Sequence, residues 1–219
     1  MARIESPTEP SVMAEIDPVM SALRVTPRPM QAIGYYQVAV GSGVMTAVAA
    51  GLDLAAMRWV DPEYLMLIHY LKLRMVQVTA GAASVEVGMS VDTAYDYTAH
   101  AGGQLAMNAS VTNWLKRSSF PQSRLPTITY ANTGGLAAGN RNLGSSYMLG
   151  YNYAPASTTG TVLEMVMDLT NNPLSYPLVL RANEGLAVRN LVTFAASAAW
   201  RFTLEMAWAE CSPDQFPSF

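Results

Sequence analysis

Residues 198–210, AAWRFTLEMAWAE, carry a large apolar side chain at every second position. Successive side chains of a β-strand point to opposite faces, so a strand here has one apolar face and one face of small or polar residues. On a helix the same apolar side chains would be scattered around the whole circumference. The spacing therefore predicts a strand with one buried face, formed by Trp200, Phe202, Leu204, Met206 and Trp208.

The chain from Gly34 onward has a similar sequence pattern, in which short apolar or alternating runs are separated by turn residues. Asp61-Pro62-Glu63 and Asn183-Glu184-Gly185 are two such turn signals. A single short helix is expected, around Gln104 to Ser110. About nine strands with no helices between them predict an all-β chain, folded as an antiparallel, jelly-roll-like β-sandwich.

The longest apolar run, residues 64–80, is predicted to place Leu71 and Leu73 in the core. Its apolar positions change parity near Met75-Val76. A one-residue change of parity moves the apolar set to the other face unless an extra residue is inserted, so we expect a β-bulge there.

The two ends of the chain differ from the middle. Residues 1–32 contain five of the 13 prolines and are predicted to form an extended N-terminal arm, followed by the sandwich over 33–212 and a tail over 213–219. The arm and tail are expected to reach neighbouring subunits through eight residues, Arg3, Ile4, Arg24, Val25, Arg28, Met30, Phe216 and Phe219.

The composition is poor in charge, with 13% charged and 51% hydrophobic residues, whereas about 25% charged residues are typical. Lys72 and Lys116 are the only lysines, although lysine commonly protects exposed sheet edges. Either uncharged polar residues cover the surface, or much of the surface is buried against copies of the chain or a partner; we favour the second interpretation.

Several classes of function are not expected. The net charge is −3 and cations do not cluster, so direct binding of nucleic acid is not expected. The first ten residues do not resemble a secretion signal, and no apolar run reaches the 18 or so residues of a membrane span. We therefore expect a chain synthesised in the cytoplasm that contacts no membrane.

Histidine and cysteine are scarce in this chain. The chain has two histidines and one cysteine, which excludes an internal disulfide, and it contains no known nucleophile, zinc or nucleotide motif. His69 is predicted to be a core or interface histidine. Asp92, Asp96 and His100 are spaced four apart, as in a helical metal site, but their surroundings favour strand or loop, so chance spacing is the default. Neither an enzyme nor a cofactor is expected.

Residues 92–156 form a long polar region rich in aromatic and amide side chains, which both sugar and protein recognition use. The alternative is that these side chains only line the rim of the sandwich. They are Tyr95, Tyr97, Tyr130, Tyr147, Tyr151, Tyr153, Asn132, Asn140, Asn142 and Asn152.

Two segments carry a resemblance to known proteins. The stretch PLVLRANEGLAVRNLVTF (177–194), followed by WRFTLEMAWAE (200–210), resembles the C-terminal end of a group of tailed-phage virion proteins. GYYQVAVGSGVMTAVAAG (34–51) and MRW (57–59) are similar to the first hairpin of that group. The resemblance implies a β-sandwich component of a phage particle, of the head decoration (cement) type, and its motifs are structural rather than catalytic.

These observations predict a structural virion protein on the capsid surface. It is expected to be a symmetric homo-oligomer, a trimer, that clamps neighbouring copies of the major capsid protein through its arm and its low-charge faces. The alternative is a tail or fibre component whose tyrosine and asparagine loops bind a host glycan. The copy number per particle separates these two hypotheses.

Overall fold

The computed structural model describes residues 34–99, 121–136, 139–156, 159–169 and 178–213, together with the backbone of four short strands outside these ranges. The chain divides into two compact units, Met1–Met30 and Gln31–Phe219. Within the described residues there is no α-helix, and thus none long and apolar enough to cross a membrane.

The first unit contains three short strands, β1 (Ile4–Glu5), β2 (Met13–Asp17) and β3 (Ala22–Arg24). They form an antiparallel sheet in the order β1-β2-β3. The other residues of the predicted arm lie outside the described residues, so its role as an arm stays a prediction.

The described residues of the second unit form eleven strands. They are β4 (Gly34–Gly41), β5 (Asp53–Arg58), β6 (Leu65–Thr79), β7 (Val85–Ala99), β8 (Leu105–Asn108), β9 (Thr127–Tyr130), β10 (Asn140–Ala154), β11 (Val162–Asp168), β12 (Leu178–Leu180), β13 (Gly185–Asn190) and β14 (Ala199–Cys211).

Two antiparallel sheets contain these strands. One has the order β10-β7-β13-β5-β9-β8, and the other has the order β11-β6-β14-β4, with β12 also paired to β6. The strands β4, β5, β6 and β7 alternate between the sheets, and the later β13 and β14 each insert between two of these earlier strands. Such interleaving of two Greek keys defines a jelly roll, so the predicted antiparallel, jelly-roll-like sandwich is confirmed.

The opening segment forms β14, the strand that occupies the middle of the second sheet. It pairs with β6 on one side and with β4 on the other. All five of its alternating apolar side chains are buried in the main core, as are Leu71 and Leu73 of β6. Burying each side chain of this size stabilises the fold by about 1.5–3 kcal/mol relative to leaving it exposed.

The bulge predicted at Met75-Val76 is in the wrong place. β6 keeps an unbroken register with β11 through these residues, whereas its register with β14 shifts around His69 and again around Val78. The apolar parity changes at His69, so Leu67 lies in a separate cluster from the main core. Leucine and valine side chains can be buried on either face of a strand, so their positions in the sequence did not show where the extra residue is inserted.

The helix expected around Gln104 to Ser110 is also wrong, because residues 105–108 form β8 and pair with β9. Leu, Ala and Met favour helices in isolation, but pairing with a neighbouring strand overrides that preference. The polar region, residues 92–156, contains the end of β7 and the whole of the 15-residue β10.

Candidate interaction surface

The residues considered for a metal site are only partly described. No three His, Cys, Asp or Glu side chains of the described part of the chain lie close enough to share a metal ion. His69 lies at the β6 bulge, with its ring 6.3 Å from that of Tyr35, and His100 is outside the described residues. Asp92 and Asp96 lie on β7 rather than on a helix, and Asp96 has a φ of 50° where the pairing of β7 with β10 is irregular.

A buried ion network lies on the outer face of the six-stranded sheet. Arg141 of β10 donates from Nη2 to Oδ2 of Asp53 on β5, and both side chains are almost fully buried. Arg189 of β13 lies between Asp53 and Asp92 of β7. Its Nε is 3.8 Å from Asp53 Oδ1, and its Nη1 is 3.6 Å from Asp92 Oδ2. Two cations thus balance two anions, and the network carries no net charge.

Hydrogen bonds complete this network. Asp92 accepts from Ser90 Oγ at 3.0 Å and from Ser146 Oγ at 2.6 Å, and Arg141 Nη1 lies 3.3 Å from the Tyr97 hydroxyl. Burial raises the pKa of Asp53, and its hydrogen bond and charge contact with Arg141 oppose that shift. Because the network joins β5, β7, β10 and β13, it fixes the first half of β10 to the sheet.

The second half of β10 presents an exposed apolar row, which we call the tyrosine stripe. Its members alternate along the strand and are 48%, 62%, 54% and 64% exposed, in the order Tyr147, Leu149, Tyr151 and Tyr153. These fractions are large for apolar side chains on a strand. Tyr147 lies at a bulge between Ser146 and Met148, and the other three members follow in regular register with β7. β10 is also the edge strand of its sheet.

Two glycines lie next to the tyrosine stripe at positions where a Cβ would have close contacts. Gly88 on β7 is paired with Tyr151, and a Cβ on Gly88 would lie 2.6 Å from Cε1 of that ring, so the ring lies closely over the backbone and would have to shift for a larger residue. Gly150 points inward, where a Cβ would collide with Sδ of Met165 on β11. The backbone at Gly88 therefore leaves room for the Tyr151 ring on the outside of the sheet.

The amide side chains expected to accompany these tyrosines are used within the chain. Nδ2 of Asn140 donates to Thr98 Oγ1 at 2.8 Å, and Nδ2 of Asn142 donates to Asp96 Oδ2 at 3.0 Å. Nδ2 of Asn152 donates to the carbonyl of Val162 at 2.8 Å. Asn132 Oδ1 likewise accepts from a backbone N–H, that of Gly43. The stripe is therefore aromatic and aliphatic, with its neighbouring amides already engaged.

The outer face of the other sheet has a different character, because it carries charges of both signs. Lys72 on β6 pairs with Glu164 on β11 at 3.0 Å and lies opposite Glu205 on β14. Arg74 and Arg201 are exposed on the same sheet. This mixed surface is typical of a solvated face, whereas the tyrosine stripe is typical of an interface.

A buried carboxylate ties the end of β14 to the segment before β9. Glu210 accepts from Ser123 Oγ at 2.6 Å, from the Arg124 backbone N–H at 3.0 Å and from Trp208 Nε1 at 3.2 Å. Burial raises the pKa of Glu210, and these donors oppose the shift. Glu210 therefore links the end of β14 to the segment before β9.

The residues expected to reach neighbours are mostly outside the described residues. The backbone of Ile4 lies in β1 and that of Arg24 in β3. The remaining six, which are Arg3, Val25, Arg28, Met30, Phe216 and Phe219, belong to the part of the chain that the structure does not describe.

Sequence reasoning grouped the middle tyrosines but missed what separates them. Tyr97 is fully buried, whereas Tyr147, Tyr151 and Tyr153 share an exposed face with Leu149, which was not singled out. The period-two pattern over residues 147–153 was the available signal. The Asp53–Arg141 pair had no local signal, because its members are 88 residues apart.

Comparisons with known proteins gave little. No protein-family model matches the chain, and no curated protein matches it. A solved structure titled "KBV activated particle at acidic pH" contains a chain with 9% sequence identity and a TM-score of 0.23. That alignment covers 95% of this chain and 80% of the other.

Proposed function

We propose that this chain is a structural, non-enzymatic protein of a virus particle, which acts by assembling with other subunits. The observation that carries the proposal is the tyrosine stripe, an exposed apolar row on the outside of a fold whose core is already complete. Water-exposed rows of this kind are costly in a free monomer and mark surfaces that are covered in use.

The fold supports the same role by analogy. Jelly rolls serve as viral capsid domains and also as lectins, so the architecture allows both an assembly role and a recognition role. The low charge of the chain favours assembly, because many weak apolar contacts repeated over a particle sum to a stable shell.

The specific role that we propose is decoration of a tailed-phage head. In this role the protein is a homo-oligomer, a trimer, on the capsid surface, and it clamps neighbouring copies of the major capsid protein through residues 1–32 and its low-charge faces. It contacts neither nucleic acid nor a membrane directly. This part of the proposal comes from the sequence resemblance and from the poverty of charge.

The second candidate is a tail or fibre component that binds a glycan through the exposed tyrosines. Aromatic rings do stack on sugars, but sugar recognition also needs polar groups that fix the hydroxyls. The nearby Asn140, Asn142 and Asn152 already donate within the chain. We therefore prefer the assembly role.

Two measurements test the proposal. Mass-spectrometric copy number in a purified particle is expected to be in the hundreds for a decoration protein, whereas a few to a few dozen copies would indicate a tail component. A chain lacking residues 1–32 is expected to keep the far-UV circular dichroism of the sandwich and to stop co-sedimenting with capsids. Normal co-sedimentation of this truncated chain would contradict the clamping role of the arm.

A further inference from the structure

We infer that the tyrosine stripe is a two-fold contact between two copies of this chain, in which β10 of one copy packs antiparallel against β10 of the other. The inference deepens the proposed function and rests on it, because it identifies the partner of the surface that carries the assembly role. The two-fold axis passes at the level of Gly150.

The spacing of the stripe is self-complementary about that axis. Its four side chains lie three and one positions on either side of residue 150. When two such strands lie antiparallel, Tyr147 meets the second copy's Tyr153, and Leu149 meets the second copy's Tyr151. Every apolar side chain is then matched by another, as a closed two-fold interface requires.

The charge of the surface allows such self-association. From Leu143 to Ala154 the strand has no Asp, Glu, Lys or Arg, and the residues of β7 opposite Leu149 and Tyr151 are Ser90 and Gly88. The ionised groups of the buried network balance one another, and Glu86, which is exposed opposite Tyr153, lies at one end of the stripe, away from the axis. At the axis a second copy therefore meets no like charge, and a strongly charged partner would find no complement.

The area fits a protein partner. Exposures of about half, on side chains of roughly 200 Å² each, give an apolar stripe of about 400 Å². A standard protein interface buries about 800 Å² per partner, with an apolar centre and a polar rim. The stripe has the size of such a centre, and it extends along about 20 Å of strand, further than a single sugar ring reaches.

The first test measures the mass of the full chain in solution by native mass spectrometry and light scattering. Even-numbered species, two copies or two trimers, are expected. Leu149→Glu is expected to weaken this association about 30-fold or more, because the two-fold axis applies the change twice. Val166→Glu is the matched control, since Val166 is 50% exposed on β11 of the other sheet, and it should leave the association unchanged.

The second test uses opposite charges. Leu149→Glu and Tyr151→Lys should each weaken self-association, and mixing the two variants should restore it, because these positions face each other across the axis. The two variants differ in mass, so native mass spectrometry counts the mixed dimer directly. Circular dichroism of each variant checks that it is folded.

The outcomes separate this inference from the proposed function. A wild-type chain that stays a monomer or a single trimer at high concentration overturns the two-fold contact, as does a mixture of the two variants that associates no better than either alone. Glycan binding that Leu149→Glu abolishes, without even-numbered species, overturns it as well. Even-numbered species from a chain that is absent from particles would leave the contact standing and refute the proposed function.

Discussion

Replacing Trp208 with alanine is expected to be among the most destabilising single changes in this chain. The indole is buried, with its ring 5.5 Å from that of Tyr36 at an interplanar angle of 25°, and its Nε1 donates to Glu210. Truncating a buried tryptophan to alanine costs about 3–5 kcal/mol. Removing one donor from a buried carboxylate adds about 1 kcal/mol or more. We therefore expect a loss of about 4–6 kcal/mol in the free energy of unfolding.

Trp208→Phe is the matched control, because it keeps an aromatic ring against Tyr36 and removes the N–H together with part of the ring volume. It is expected to cost about 1–3 kcal/mol, mainly for the lost donor to Glu210. The difference between the two variants therefore measures the packing of the ring, separately from its hydrogen bond.

Urea denaturation followed by far-UV circular dichroism gives both values, provided that the slope of the unfolding free energy against urea is unchanged. A loss below about 1 kcal/mol for Trp208→Ala would refute the assignment of β14 to the centre of the sandwich. Equal losses for the alanine and phenylalanine variants would show that the hydrogen bond to Glu210, and not packing, sets the value.

The remaining predictions concern a turn glycine and a buried acid. Gly185→Ala should lower the free energy of unfolding by about 3 kcal/mol in the same denaturation assay, because the added Cβ would collide with the backbone oxygen of Met57. Gly41→Ala is the control, since its added Cβ would have only ordinary contacts. Equal losses for the two variants would contradict the clash at Gly185. Burial raises the pKa of Glu210 in the folded state. The protonated side chain therefore stabilises the folded protein fully below the ordinary carboxyl pKa of about 4. This stabilisation is lost as the pH rises through the raised pKa of the folded state. Lowering the pH from 7 to about 5 should therefore increase the free energy of unfolding, and a steady decrease over that range would count against this assignment.

The sequence predicted the parts of the fold that depend on local pattern. Alternation identified β14, and turn residues marked the entries to β6 and β13. Asp61 accepts from the backbone N–H groups of Glu63 and Tyr64, as its place before a proline suggested. Asn183 has a φ of 66°, which fits the predicted tight turn. These features involve neighbours along the chain, so their signal is visible in a short window.

The features that were missed depend on residues distant in sequence. β8 is a strand because β9 lies beside it, and no propensity within residues 104–110 records that neighbour. The side of β10 that faces water is likewise set by its pairing with β7. Tyr151 could have filled a core as readily as it covers Gly88. Sequence thus indicated that the middle tyrosines belong to a surface or a rim, and only the sheet order separated the exposed row from the buried Tyr97.

The insertion of β13 and β14 between earlier strands has a consequence for how the protein is made. During translation β4, β5, β6 and β7 are synthesised before β13 and β14. Each of the four therefore has an edge that stays unpaired until β13 or β14 is made. Such nascent chains depend on late, long-range pairing and are slow to fold and open to aggregation. A product cut short before residue 185 lacks the centre of both sheets and has no route to the folded state. Only polypeptides that contain both β13 and β14 are therefore expected to fold and take part in any later assembly.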